Sequence, residues 1–130
     1  MPGGASILIV EDDINLREEI GDVLAGEGHT LSVARNGVEA LATLEYLPRP
    51  SLILLDMWMP VMDGLTFLNR LHGREDRNDF EVVVMTAAGA PEWYRDAPGV
   101  IGTLKKPFTV SEVLSLSAEF AARRLPPAPL

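Results

Sequence analysis

Four apolar runs in this chain end in side chains that could do chemistry. Glu11, Asp12 and Asp13 follow Ile7-Leu8-Ile9-Val10, and Asp56 follows Leu52-Ile53-Leu54-Leu55. Thr86 follows Val82-Val83-Val84-Met85, while Lys105 and Lys106 follow the stretch from Val100 to Leu104. Carboxylates held close together repel, which raises their pKa values unless a cation intervenes. Oxygen ligands without histidine or cysteine suit a hard cation, and Mg²⁺ takes one or two carboxylates while keeping other positions for water or phosphate. A lysine ammonium suits a phosphate oxygen, and a threonine hydroxyl can donate to another. Carboxylate nucleophile, divalent cation, hydroxyl and ammonium together describe a phosphoryl-transfer site in which an aspartate accepts the group.

That chemistry requires the four run ends to meet. The apolar pattern alternates between two periods along the chain. Short, continuously apolar, β-branched runs read as strands covered on both faces. Between them lie helical spacings: Leu16, Ile20, Val23 and Leu24, ended by Gly26 and Gly28; then Val38, Leu41 and Ala42 behind an Asn36 cap; then Leu65, Leu68 and Leu71. Thr30 to Ala34 reads as a second strand, with Arg35 and Asn36 at its end. The stretch from Ala87 to Gly99 holds Gly89, Pro91 and Pro98, so its helix should be short or irregular. A last helix begins at Thr109, with Glu112 completing a capping box, and buries Val113, Leu116 and Phe120. Strands alternating with helices require right-handed crossovers and a parallel sheet clad on both faces. Ligand sites in such sheets form outside the carboxyl ends of the strands.

Composition narrows the class. At 130 residues, with 47% hydrophobic and 23% charged residues, the chain should form one globular domain. Lys and Arg number 11 against 19 acids, a net charge of −8, which offers no electrostatic footprint for a nucleic-acid backbone. Cysteine is absent, excluding disulfides, thiolate metal sites and a cysteine nucleophile. No apolar stretch is long enough to span a bilayer and the start lacks the basic residues of a signal peptide, so a cytoplasmic location is expected. Residues 125–130 hold three prolines and read as a tail or the start of a linker after a domain over 1–124.

Over about Ser6 to Arg124 the chain resembles the receiver domain of two-component response regulators. The matching stretches are Ile7 to Asp13, Leu55-Asp56-Met57-Trp58-Met59-Pro60-Val61-Met62-Asp63-Gly64, Met85-Thr86-Ala87 and Lys106-Pro107-Phe108. The resemblance implies an α/β, flavodoxin-like, doubly wound five-stranded parallel sheet of order 2-1-3-4-5 with five helices. It implies Asp56 as phosphoacceptor, charged by a histidine kinase, a phosphotransfer protein or a small acyl phosphate. It makes Asp12, Asp56 and the backbone carbonyl of Trp58 ligands of Mg²⁺, with Glu11 acting through water. Thr86 and Lys106 would contact the phosphoryl group, and Lys106-Pro107 is a candidate cis bond. Such a chain is an enzyme only in the sense of single-turnover self-phosphorylation with slow autophosphatase activity.

Each residue also has a plainer reading. Asp56 could cap a turn, Glu11 and Asp12 could form a solvated acidic turn, and Thr86 alone would be an ordinary strand-end hydroxyl. Their joint occurrence favours the phosphoryl reading. Asp13 should cap the first helix, Asp63 and Gly64 should form a turn, and Lys105, His29 and His72 should be surface residues. The chain departs from the family at Thr103, where an aromatic switch residue is usual. Trp93 or Tyr94 could substitute, or could simply pack against the sheet. Trp58 and Ala88 occupy the positions that tune phosphoryl lifetime, and neither can activate a water. Two further readings are a degenerate receiver that binds partners independently of phosphorylation, and a Mg²⁺-dependent phosphatase. Trp58 speaks against the latter, since it stands where such enzymes keep a general acid. The downstream partner or output domain is not readable from this sequence.

Overall fold

A computed structural model describes residues 4–59, 61–87, 94 and 97–124. The elements run β1 (Ser6–Val10), α1 (Ile14–Gly26), β2 (Thr30–Ala34), α2 (Gly37–Leu44), β3 (Ser51–Asp56), α3 (Gly64–His72), a 3-10 turn (Arg77–Asp79), β4 (Phe80–Ala87), β5 (Val100–Lys106) and α4 (Val110–Arg124). All strand pairings are parallel, in the order β2-β1-β3-β4-β5. The expected sheet is therefore observed. Four α-helices occur among the described residues rather than five. The helix expected between Ala87 and Gly99 falls largely on residues outside them, as do Ala88, Trp93 and the tail at 125–130.

The continuously apolar strands divide their side chains between two cores, because successive residues of a strand point to opposite faces. Leu8, Val10, Ile53, Leu55, Val82 and Val84 face one core, which α2 and α3 close with Ala40, Leu44, Phe67 and Leu71. Ile7, Ile9, Leu52, Leu54, Val83 and Met85 face the other, closed by Ile20 and Leu24 of α1 and Val113 and Phe120 of α4. Leu116 of α4 is only partly buried. Each fully buried aliphatic side chain contributes about 1.5–3 kcal/mol of transfer free energy, so these layers are the main support of the site above them.

The helix starts are set by short polar side chains. Asp13 accepts from the N–H groups of Asn15 and Leu16, Asn36 from Glu39, and Asp63 from Thr66. Thr109 accepts from the Glu112 N–H at 3.1 Å, as the capping pattern predicts. Lys106-Pro107 is cis, and so is Arg49-Pro50, which the sequence reading did not single out.

His29 differs from expectation. It is half-buried, and its Nδ1 accepts a hydrogen bond from the Ala5 N–H at 3.0 Å. Burial lowers its pKa against a smaller upward pull from Glu27. Gly28, at φ 86°, turns the chain so that His29 meets the start of β1, a use the helix-end pattern alone does not disclose. His72 and Lys105 are exposed, as expected.

Candidate functional site at the carboxyl ends of the strands

β1 pairs with β2 on one side and β3 on the other, so successive crossovers leave this point in opposite directions. The crevice outside the ends of β1 and β3 is where such a sheet is open to a ligand. Glu11 and Asp12 leave β1 there, and Asp56 ends β3. β4 brings Thr86 and β5 brings Lys106 to the same edge. Carboxylate oxygens of Glu11, Asp12 and Asp56 lie within 4.8 Å of one another.

These groups differ sharply in environment. Glu11 is 1% exposed and Asp56 3%, whereas Asp12 is exposed. Lys106 Nζ donates to Glu11 Oε1 at 2.8 Å and stands 3.7 Å from Asp56 Oδ2. Asp56 Oδ1 accepts from the Trp58 N–H at 3.0 Å, and Glu11 Oε2 accepts from the Asp13 N–H at 3.2 Å. Burial pushes the Asp56 carboxyl upward first, and the Glu11 carboxyl beside it adds to the shift; the Trp58 N–H and Lys106 pull the other way and do not restore it. Burial works against the Lys106 charge, but Glu11 and Asp56 outweigh it and hold its pKa above the ordinary value.

Two carboxylates buried beside one ammonium leave negative charge uncompensated, and Asp12 adds a third on the open side. The donor set is all oxygen. Those residues fit a hard divalent cation such as Mg²⁺ in number and chemistry. A second observation points to a ligand oxygen. Thr86 is 1% exposed, and its Oγ1 has no hydrogen-bond partner among the described residues. Leaving a buried hydroxyl unpaired costs about 1–3 kcal/mol, which a bound acceptor would recover.

The loop after Asp56 is held tightly. The Met57 carbonyl accepts from the Gly64 N–H at 3.2 Å, and the Met57 N–H donates to Met85 O. A Cβ on Gly64 would sit 2.7 Å from Met57 Cα and 2.9 Å from the Asp56 carbonyl, so backbone packs on backbone there. Val61, 81% exposed, holds φ 69°, a strained conformation for a β-branched residue. The Trp58 ring is 68% exposed beside Asp56.

All the residues singled out for phosphoryl chemistry thus reach one edge: Glu11, Asp12, Asp56, Thr86 and Lys106, with Trp58 at its rim. Thr103 does not join them. It lies half-buried in β5, in register with Val84. Tyr94 is 3% exposed and packs in the core closed by α2 and α3. Arg17 was not anticipated; one turn into α1, its guanidinium donates to the Glu11 carbonyl at 2.8 Å and braces the acidic turn. Its position four residues after the Asp13 cap was the only available signal.

Comparison with known proteins agrees with this geometry. The family profile "Response regulator receiver domain" matches residues 7–117. Sporulation initiation phosphotransferase F of Bacillus subtilis (strain 168) is 34% identical over 82% of this chain and 86% of its own length. Response regulator MprA of Mycobacterium tuberculosis (strain H37Rv) is 34% identical over 92% of this chain and 52% of its own, so the chain spans about half of that relative. Among solved structures, the signal receiver domain of a signal transduction histidine kinase from Syntrophus aciditrophicus superposes with a TM-score of 0.82, at 28% identity, covering 98% of this chain and 97% of that one. With its sheet order, its strand-end cluster and a profile match over most of its length, the chain belongs to the response regulator receiver domain family.

Proposed function

We propose that this receiver domain is a phosphorylation switch in which Asp56 takes a phosphoryl group and the change alters affinity for a partner. The observation that carries this reading is the pairing of a buried aspartate with two groups suited to phosphoryl oxygens: the Lys106 ammonium 3.7 Å from Asp56, and the Thr86 hydroxyl at the same edge, which has no partner among the described residues. An Asp56 carboxylate oxygen forms the new bond to phosphorus. The bond from phosphorus to the donor breaks, and its electron pair leaves with a histidine nitrogen or an acyl carboxylate. Lys106 compensates the charge spread over the phosphoryl oxygens, and Thr86 Oγ1 donates to one of them. Asp12, Asp56 and the Trp58 carbonyl would hold Mg²⁺, with Glu11 acting through water. The ion would supply further compensation for the carboxylates and the phosphoryl oxygens.

The donor is a histidine kinase, a phosphotransfer protein or a small acyl phosphate, and the reaction takes place in the cytoplasm. The Bacillus relative is named a phosphotransferase, which supports the same class of chemistry. No helix among the described residues is long and apolar enough to cross a membrane. The test is intact mass after acetyl phosphate, with and without Mg²⁺, for the chain and for Asp56→Asn. One phosphoryl adduct that requires both Mg²⁺ and Asp56 is the expected result.

A second reading has one observation in its favour. Thr103 stands in β5 where an aromatic residue is usual in the family, and a threonine cannot move a large apolar surface between buried and exposed positions. A chain without that relay could bind a partner independently of phosphorylation. Absence of an adduct, with Mg²⁺ binding intact, would favour it.

A further inference from the structure

Arg17 stands one turn into α1, half-buried, with the exposed Glu18 and Glu19 following it. In a chain with 19 acids and a net charge of −8, it makes no ion pair among the described residues. Glu39, an acid that feels its charge, is held first by Arg35, whose guanidinium lies 2.6 Å away. The Arg17 guanidinium donates instead to a main-chain oxygen, that of Glu11, at 2.8 Å. Ordering a long side chain costs rotamer entropy, so a cation committed to a carbonyl among so many carboxylates is placed there by position more than by charge.

Arg17 grips the chain on both sides of Asp12. Its backbone N–H donates to Asp13 O at 2.9 Å, while its guanidinium reaches back to Glu11 O. Glu11 is tied at other atoms too. Its N–H donates to Ala34 O at 3.1 Å, and its carboxylate takes the Asp13 N–H at 3.2 Å and the Lys106 ammonium at 2.8 Å. Asp12 has no such ties. It is exposed, and among the described residues no hydrogen bond reaches its carboxylate. The backbone therefore sets where that carboxylate points, and among the described residues Arg17 alone offers a side-chain donor to a carbonyl of this turn.

We propose that Arg17 is a positioning residue of the metal site: by fixing the Glu11 carbonyl it holds Asp12 toward Glu11 and Asp56, and so sets the affinity of the cluster for Mg²⁺. The proposal rests on the reading of this cluster as a Mg²⁺ site. Carboxylate oxygens of the three acids already lie within 4.8 Å of one another, so little is left to rearrange when a cation arrives. Without Arg17 the turn samples arrangements in which Asp12 faces away, and the apparent dissociation constant rises as the competent fraction falls. Two effects of the guanidinium oppose each other. Its charge repels a cation, so its removal by Coulomb interaction alone would tighten Mg²⁺ binding. Its hydrogen bond favours binding, and the sign of the change separates the two.

The test is a Mg²⁺ titration of the intact chain, followed by the amide resonances of Asp12 and Asp13, for the unmodified protein, Arg17→Met and Arg17→Gln. Methionine keeps an apolar stem and a good helix preference but offers no donor; glutamine keeps a donor on a stem too short to reach Glu11. Both should raise the dissociation constant about tenfold, as loss of an outer partner of a metal site does. The initial rate of adduct formation from acetyl phosphate should fall with it at limiting Mg²⁺. At saturating Mg²⁺ that rate should return to within about twofold of the unmodified protein, because only occupancy has changed. Thermal unfolding without Mg²⁺ checks that each variant is folded.

A dissociation constant that is unchanged or lower in the folded variants overturns the proposal and leaves Arg17 as a staple between α1 and the end of β1. A rate that stays low at saturating Mg²⁺ overturns it as well, since the defect then lies beyond occupancy of the site. Asp12 and Asp13 resonances that ignore Mg²⁺ in the unmodified protein would instead overturn the metal reading on which it rests.

Discussion

The two ends of the sheet both gather charge, and they do opposite things with it. At the amino end, Arg49 donates to Asp76 at 2.7 Å, pairs with Asp79 at 3.3 Å and stacks over Phe80. Arg74 pairs with Asp76 at 2.7 Å and Glu45 at 3.0 Å, while Arg123 and Arg124 hold Glu81. Every acid in that network has a guanidinium partner. At the carboxyl end, Glu11 and Asp56 share one lysine, Asp12 stands nearby, and Thr86 Oγ1 has no partner among the described residues. Two aspartates show the contrast. Arg74 and Arg49 hold the Asp76 carboxyl well below the usual range, whereas burial and Glu11 push Asp56 above it. Paired charges staple loops together. Crowded, desolvated like charges are held against their preference by the cores beneath, and such an arrangement is useful only to something that binds there.

Substitutions at the two ends should separate these roles. The largest effect is expected at Gly64→Ala, where the new methyl group meets the Met57 sulfur, which could move aside, and the backbone of Met57 and Asp56, which cannot. Urea unfolding should show a loss of about 2–3 kcal/mol, and adduct formation should slow with it. An unchanged stability would mean that the loop after β3 is looser than its packing indicates.

Next in size are paired aspartate variants measured in the same way. Asp76→Asn should destabilise by about 1 kcal/mol, as for a network of partly exposed ion pairs. Asp56→Asn should stabilise by a similar amount, about 1 kcal/mol, because it removes a buried charge from a crowded site. Loss of stability in both would erase the distinction between the ends.

Acid titration sharpens the amino-end half of the comparison. The folded-state pKa of Asp76 is depressed, so its contribution is fully present above the unfolded value of about 4 and is lost as pH falls below it. His29 follows the same direction at higher pH. Its folded pKa is lowered, so the unfolded chain binds the proton more readily, and stability should decline slightly as pH falls below about 6.5. Urea midpoints from pH 7 to pH 2 for the chain and for Asp76→Asn should keep a constant gap above about pH 4 and draw together below it. Parallel curves would show that Asp76 is not the titrating group.

The subtlest expected change is at the rim of the carboxyl end. Trp58 presents an exposed ring next to Asp56 and carries no group that could activate water. Trp58→Asn should shorten the lifetime of the aspartyl phosphate several-fold, measured by decay of the adduct mass. A decay rate that is unchanged or slower rules out the indole as the brake. Ala88, the other position with this expected role, lies outside the described residues.

Much of the carboxyl end was legible in advance because its logic is local. A buried parallel strand must be apolar on both faces, so Ile7 to Val10 and Leu52 to Leu55 are recognisable as strands, and the residues after them are placed automatically. Asp13, Asn36, Asp63 and Thr109 announce helix starts by type alone. The amino-end network was not legible. Arg49 and Asp76 are 27 positions apart, and nothing in either residue's neighbourhood specifies the other. The same holds for His29, whose role as acceptor for Ala5 depends on two segments meeting across 24 positions.

Residue type and period by themselves determined the alternation of strands and helices, the parallel sheet, and the set of side chains delivered to its carboxyl edge. Tertiary structure alone decided the state of those side chains. It buried Glu11 and Asp56 beside one lysine, left Asp12 in solvent, kept Thr86 Oγ1 without a partner among the described residues, and buried Tyr94 in the core while Thr103 stayed in β5. The physical reason is range. Backbone geometry and apolar period act over a few residues, whereas desolvation and Coulomb interaction depend on every atom within several ångström, wherever in the chain it originates.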